Sequence, residues 1–372
     1  MKQIKVGLSY NDVLLIPQYS SIKSRSEVDL STKITPDISL KFPLIAANMD
    51  TVTGVEMAVA IYKLGGMSYI GRFDEPEIQA NKIAEIRKKG GESIGVIGVK
   101  GDYLDRAEKL LKAGSLALHL DIAHAHSAHA LEVIKNCKKR FPKASMIAGT
   151  VATYGGAYDL FKAGADSVKV GIGAGSICIT RINAGSGVPQ ITAIMEAARA
   201  KKKFKNKFII ADGGASNPGD VVKALAAGAD AYEGGSWCAG ADEAPGDIVE
   251  VNGERFKEYN GSTSLSEKKR QLQKDGNHKK NDYVLHVEGV EGMMKSRGPL
   301  KSIVDQYSAG VRSGLSYSGA RNIKELWRKA QFIQITAAGF RESQAHTVVL
   351  RETTQERVKR PHLDKDLFYN LS

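Results

Sequence analysis

Two six-residue junctions in this chain nearly repeat: Lys162-Ala163-Gly164-Ala165-Asp166-Ser167 and Ala226-Ala227-Gly228-Ala229-Asp230-Ala231. Lys112-Ala113-Gly114-Ser115-Leu116 is a weaker third copy. Each ends an amphipathic stretch on glycine, which stops a helix, and then launches an apolar run, which starts a strand. The same stride runs through most of the sequence. Strand candidates are Pro43–Met49, Met67–Ile70, Ser93–Val99, Leu116–Ile122, Ser145–Val151, Ser167–Ile172, Phe208–Asp212 and Ala231–Ser236. Helical patterns fall between them at Tyr103–Ala113, Ala128–Arg140, Gly156–Ala163, Gln190–Ala200 and Gly219–Ala227.

Repeated βα units predict a parallel sheet, and eight of them predict an α/β (β/α)8 TIM barrel. An open dinucleotide-binding sheet would carry G-x-G-x-x-G after its first strand, where this chain reads Asp50-Thr51-Val52-Thr53-Gly54. The whole chain, 1–372, reads as one catalytic barrel interrupted after the eighth strand. The interruption, 242–298, has a hairpin pattern at Val249–Phe256 followed by a polar, Lys- and Gln-rich stretch. An insertion there reads as a flap over the barrel mouth, although Ser266–Lys280 alone equally suits a surface loop. Helical patterning resumes at Leu300–Gly310 and Ile323–Ala330, and 351–372 reads as a tail able to wrap a neighbouring subunit.

No run reaches about 18 uninterrupted apolar residues, so no membrane partner is expected. Met1–Tyr10 lacks an apolar signal core, which points to the cytoplasm. The net charge of +12 comes in separate clusters, Lys201–Lys207, Lys268–Lys280 and Lys359-Arg360, with no nucleic-acid motif beside them. Such a balance suits small phosphorylated anions rather than nucleic acid.

The chemistry concentrates in Gly171–Arg181, Gly-Ile-Gly-Ala-Gly-Ser-Ile-Cys-Ile-Thr-Arg. Gly173 and Gly175 let backbone N–H groups approach an oxyanion, Ser176 adds a hydroxyl, and Cys178 follows as a nucleophile. Cys137 lies in a helical stretch and Cys238 follows Gly234-Gly235-Ser236-Trp237, so both read as packing. In a barrel the strand ends share one mouth. That places Asn48, Met49, Arg72, Asp121, Thr150, Asp212-Gly213-Gly214 and Gly234-Gly235-Ser236 around the Cys178 loop. The glycines after strands seven and eight stand where barrels commonly hold a phosphate. His124, His126 and His129 read as loop histidines, not metal ligands.

With these stretches located, the chain resembles the IMP dehydrogenase/GMP reductase family over essentially residues 5–350. The resemblance rests on Tyr10–Leu15, Met49–Val52, Lys169–Arg181, Gly187–Gln190, Ile210–Gly214 and Gly219–Ala224. It implies a cytoplasmic homotetramer acting on a purine nucleotide 5′-monophosphate through a covalent thioimidate at purine C2. Carried over, Cys178 resembles the nucleophile, with Thr180 and Glu288 as the proton-shuttling pair. Ser176, Gly235 and Ser236 resemble the phosphate site, Tyr259 with Gly261 and Ser262 another part of it, and Asp212 the ribose-binding acid. Arg72, Asp121, Thr150, Gly171 and Gly173 would line the cofactor side. Gly173, Gly175 and Cys178 resemble the loop whose carbonyls hold a monovalent cation, K+, with Glu342 and Ser343 supplied by a neighbouring subunit.

Lys23–Leu30 and Ala46–Val52 look like reductase sequences, and from Ile70 to Ser93 there is no room for a regulatory CBS pair. Dehydrogenases carry an Arg-Tyr pair in the flap that activates the hydrolytic water; here the region reads Asp275-Gly276-Asn277-His278. Glu288–Gly292 and Gly339–Ser343 look more like dehydrogenases, as does Leu285, where vertebrate-type reductases have arginine. Thr150 and Ala174 replace the usual Asn and Pro. The expectation is GMP reductase with NADPH. The alternatives are IMP dehydrogenase with NAD+, and a catalytically weak nucleotide-binding relative.

Overall fold

The computed structural model describes residues 4–274, 285–345 and 347–348. Eight parallel strands close into a barrel: β1 Leu44–Ala46, β2 Met67–Ile70, β3 Ile94–Ile97, β4 Leu118–Asp121, β5 Met146–Val151, β6 Ser167–Val170, β7 Phe208–Asp212 and β8 Ala231–Gly234. Closure is made by β8 pairing with β1, Glu233 opposite Ile45. Each expected strand is present, trimmed by a few residues where the chain turns outward. Between them run α1 Val55–Leu64, α2 Pro76–Lys88, α3 Tyr103–Ala113, α4 Ala128–Arg140, α5 Tyr154–Ala163, α6 Gln190–Lys201 and α7 Pro218–Ala226. The connection from β2 to β3 is the single helix α2.

The repeated junction does two jobs. Gly114, Gly164 and Gly228 take φ of 101°, 120° and 115°, the left-handed turn that ends a helix. The aspartate of each Ala-Asp step then fastens the neighbouring strand: Asp166 Oδ2 accepts from the Met146 amide at 2.9 Å, and Asp230 Oδ2 from the Ile209 amide at 2.7 Å. Lys138 and Lys207 pair with Asp166, and Lys201 with Asp230.

Alternation along the strands divides two cores. One face packs on the helices. The other fills the lumen with Ile45, Met67, Tyr69, Ile94, Val96, Ile147, Ile210 and Ala231, plugged from below by Ile34, Ile38 and Leu40. A short hairpin, Thr32–Lys33 with Ser39–Leu40, carries that plug. Above this apolar floor the lumen turns polar, which positions the site.

After β8 the chain leaves through a neck in which the Asp242 amide donates to the Gly298 carbonyl at 3.0 Å. It builds a three-stranded antiparallel sheet, β9 Ile248–Val251, β10 Glu254–Asn260 and β11 Glu291–Lys295. Asn252 and Gly253, at φ 52° and 78°, make the β9–β10 turn, a conformation that Asn-Gly favours. A helix, Leu265–Lys274, follows β10; the rest of the stretch to Lys280 lies outside the described residues, as does the 351–372 tail. The final barrel helix, α8 Leu300–Tyr317, outruns its expected end at Gly310 because Val311 and Leu315 continue its buried stripe. Sequence periodicity missed the short pairings outside the barrel, among them Val13–Leu15, which runs antiparallel to Phe332–Gln334 and ties distant parts of the chain together. No described helix is long and apolar enough to cross a membrane.

Candidate active site

The loop after β6 lies backbone against backbone on the loop after β7. A Cβ on Gly171 (φ 148°) would stand 2.2 Å from the Asp212 carbonyl, and one on Gly213 (φ 79°) would stand 3.0 Å from the Gly175 amide. Glycine is required at both places by conformation and by space. Gln190, the first residue of α6, locks the arrangement: its Nε2 donates to the carbonyls of Val170 at 2.8 Å and Asp212 at 2.9 Å. Nothing in its sequence setting marked Gln190 for this role.

Cys178 is half-buried in this loop, with its amide donating to the Gly175 carbonyl at 3.1 Å. Its Sγ lies 3.1 Å from Thr180 Oγ1. A hydroxyl at that distance can donate to a thiolate and stabilise it. The other two cysteines are unsuited to attack: both are buried, which pushes the Cys137 thiol up to about 12 and the Cys238 thiol higher still.

The flap is stitched to the Cys178 loop by main chain. Cys178 bridges Gly289, the Ile179 amide donates to the Glu288 carbonyl at 2.8 Å, and the Val290 amide donates to the Ile177 carbonyl at 3.0 Å. The Glu288 backbone is therefore held beside the Cys178–Thr180 turn, and its carboxylate Oε1 pairs with His286 Nε2 at 2.9 Å. Arg270 of the flap helix bonds Asp50 after β1 at 2.7 Å, a second tie across the mouth.

On one side of the mouth, Met49, Ser176, Gly235, Ser236 and Tyr259 converge. Tyr259 Oη stands 3.4 Å from Ser176 Oγ. Burial raises its pKa well above the ordinary phenol, so it stays a neutral donor. A Cβ on Gly235 would fall 2.8 Å from Met49 Sδ and 2.9 Å from Tyr259 Oη. Gly261 and Ser262 fasten the inserted segment: the Gly261 amide donates to the Val290 carbonyl at 3.0 Å, and the Ser262 carbonyl accepts from Gln271 at 3.1 Å.

On the opposite side, Asn48 Nδ2 donates to Asp121 Oδ2 at 2.8 Å and Arg72 Nε to the Asp121 carbonyl at 3.4 Å. Thr150 is buried at the end of β5, with its amide and carbonyl both taken up by Ile122 and Ala125. Gly173 faces the Arg181 side chain, 2.5 Å from where a Cβ would stand. Glu342 and Ser343 lie far along the chain, at the end of the exposed helix Ala337–Glu342, where Ser343 Oγ bonds the Gly339 carbonyl.

Sequence reasoning overlooked the residue that links the two sides. Lys169 points from β6 into the lumen and is 4% exposed at its side chain. Its Nζ lies 2.8 Å from Asp121 Oδ1, 3.0 Å from Asp212 Oδ2 and 3.4 Å from Glu233 Oε1. Burial pushes both aspartates up. The nearby ammonium outweighs this at Asp121, which is held below the usual carboxylate range, but not at Asp212, which stays raised. Burial also raises the Glu233 carboxyl well above the usual range. A lysine inside the strand Ser-Val-Lys-Val, in register with Ser167, was the available signal.

Residues 7–346 match the family model described as the IMP dehydrogenase / GMP reductase domain. An inosine-5′-monophosphate dehydrogenase from Nitrosopumilus maritimus (strain SCM1) is 35% identical over 477 aligned positions, covering 94% of this chain and 100% of that protein. One from Borreliella burgdorferi is 37% identical, covering 93% and 98%. Among solved structures, a variant of GMP reductase from Trypanosoma brucei in complex with guanosine 5′-monophosphate superposes with a TM-score of 0.87 at 29% identity, covering 93% of this chain and 99% of that one.

Proposed function

Because the chain belongs to the IMP dehydrogenase/GMP reductase family, whose members are oxidoreductases acting on purine nucleotides with NAD(P) cofactors, we propose that it is a GMP reductase. The reaction is GMP to IMP and ammonia, with NADPH as reductant. One observation carries the choice of branch. Where dehydrogenases place the Arg-Tyr pair that activates water, this sequence has Asp275-Gly276-Asn277-His278. Without that base, water competes poorly for a covalent intermediate, and hydride becomes the productive partner.

The Cys178 thiolate adds to purine C2, and the 2-amino group leaves as ammonia after protonation. This gives a thioimidate joined through sulfur. Thr180, 3.1 Å from the thiol, steadies the anion before attack. Glu288, stitched beside it, is the proton donor for the leaving nitrogen. Tyr259, Ser176 and the Gly235–Ser236 amides grip the 5′-phosphate, so remote binding energy serves alignment at C2. Asp212 accepts from the ribose hydroxyls.

A reduced nicotinamide held by Arg72, Asp121 and Thr150 would supply the hydride. The polar, half-open character of that side fits a carboxamide and ribose. Hydride at C2 breaks the carbon–sulfur bond and returns the thiolate. The carbonyls of Gly173, Gly175 and Cys178 suit a hard monovalent cation, although that of Gly175 already accepts one N–H. This chain contributes only part of such a shell, and Glu342 and Ser343 of a neighbouring copy in a homotetramer would complete it.

A second reading, IMP to XMP with NAD+ and water, is favoured by the names of the curated relatives and by Glu288–Gly292. The compact β2–β3 connection does not separate the two, since the Borreliella dehydrogenase aligns over 402 positions and 98% of its length. Absorbance at the nicotinamide band decides. GMP with NADPH losing absorbance supports the reductase, IMP with NAD+ gaining it supports the dehydrogenase, and tight binding without turnover in either supports a weakly catalytic relative.

A further inference from the structure

The two ligand-facing acids of the site are joined through one buried cation. Asp121, at the end of β4, faces the cofactor side; Asp212, at the end of β7, faces the nucleotide side. Lys169 reaches both, at 2.8 and 3.0 Å, from inside the barrel. An ammonium has three donors, and the third is directed at Glu233, 3.4 Å away. Asn48 takes the remaining Asp121 oxygen at 2.8 Å. The chain Asn48–Asp121–Lys169–Asp212 therefore crosses the lumen as a continuous polar link between strands β1, β4, β6 and β7.

From this geometry we infer that Lys169 is a positioning residue that couples the two binding sites, so that occupancy of the nucleotide site strengthens binding at the dinucleotide site and the reverse. The inference rests on the assignment of Asp212 and Asp121 to those two sites under the reading above. The physical basis is shared ordering. Whichever ligand binds first fixes the ammonium and both carboxylates, and the second ligand then orders fewer groups. Linkage makes the effect reciprocal. A lumen lysine with a merely structural role would neutralise its neighbours without joining the two affinities.

Binding is measured with a non-reacting pair, GMP and NADP+, by titrating NADP+ with and without saturating GMP. Native enzyme and Glu233→Gln, which leaves both aspartate contacts in place, are expected to bind NADP+ about fivefold tighter when GMP is present. Lys169→Met should bind each ligand more weakly and lose this dependence. Should Lys169→Met fail to fold, Lys169→Met with Asp121→Asn removes one carboxylate along with the cation, and the same loss is expected. A GMP effect that survives in either variant overturns the inference, as does its absence from the native enzyme. Failure of the native enzyme to bind either ligand overturns the functional reading as well, which separates the two failures.

Discussion

Cys178 and Gly289 face each other across an antiparallel bridge, so the Cys178 loop of the barrel and the returning segment of the flap form one small unit. The unit holds the Glu288 backbone against the loop, and under the proposed reaction its carboxylate is the proton donor. Glu288→Gln should lower kcat about a hundredfold while leaving the affinity for GMP nearly unchanged, because the side chain acts in the chemical step. Steady-state kinetics alongside equilibrium binding measures both.

Gly213 meets the Gly175 amide with no room for a methyl group, 3.0 Å from an added Cβ, at a φ of 79°. Gly213→Ala should cost about 1–2 kcal/mol of stability from backbone strain. It should also push the Cys178 loop out of line and lower kcat/KM at least about tenfold. Thermal melts and kinetics on the same preparation separate the two effects.

Tyr259 reaches Ser176 at 3.4 Å. Under the proposed function, removing its hydroxyl takes away one anchor of the phosphate and leaves C2 untouched. Tyr259→Phe should raise KM for GMP about fivefold with kcat close to native, a loss of about 1 kcal/mol in uniform binding.

His119 is fully buried in the lumen, against Tyr69 with ring centroids 4.3 Å apart, and neither ring nitrogen has a partner. Burial lowers its pKa from the ordinary 6.5 to about 3. The unfolded chain therefore binds a proton that the folded chain refuses. This contribution to stability is complete above pH 6.5 and is lost as pH falls toward 3, amounting to about 2 kcal/mol by pH 5. His119→Phe keeps the ring and removes the titration. Its melting temperature should fall less than that of the native protein between pH 7 and 5.

Much of this was legible before any coordinates. Apolar runs alternating with amphipathic stretches named all eight strands, three of them behind a glycine stop, and the Gly171–Arg181 loop stood out because a cysteine among glycines has little reason to be there for packing. What escaped was whatever depends on closure. Alternation marks which residues share a strand face, but only a closed barrel decides that Lys169, Asp121, Asp212 and Glu233 meet in the lumen. Likewise, only the folded insertion brings the Gly261 amide to the Val290 carbonyl. The pairing of Val13–Leu15 with Phe332–Gln334 joins segments too short and too distant for periodicity to detect.

The central claim is that Cys178 forms the bond to the purine. Cys178→Ala removes the sulfur and leaves the phosphate and ribose contacts standing. Turnover of GMP with NADPH should disappear, while calorimetric binding of GMP stays within about threefold of the native protein. A variant that still turns over at a native-like rate would contradict the account.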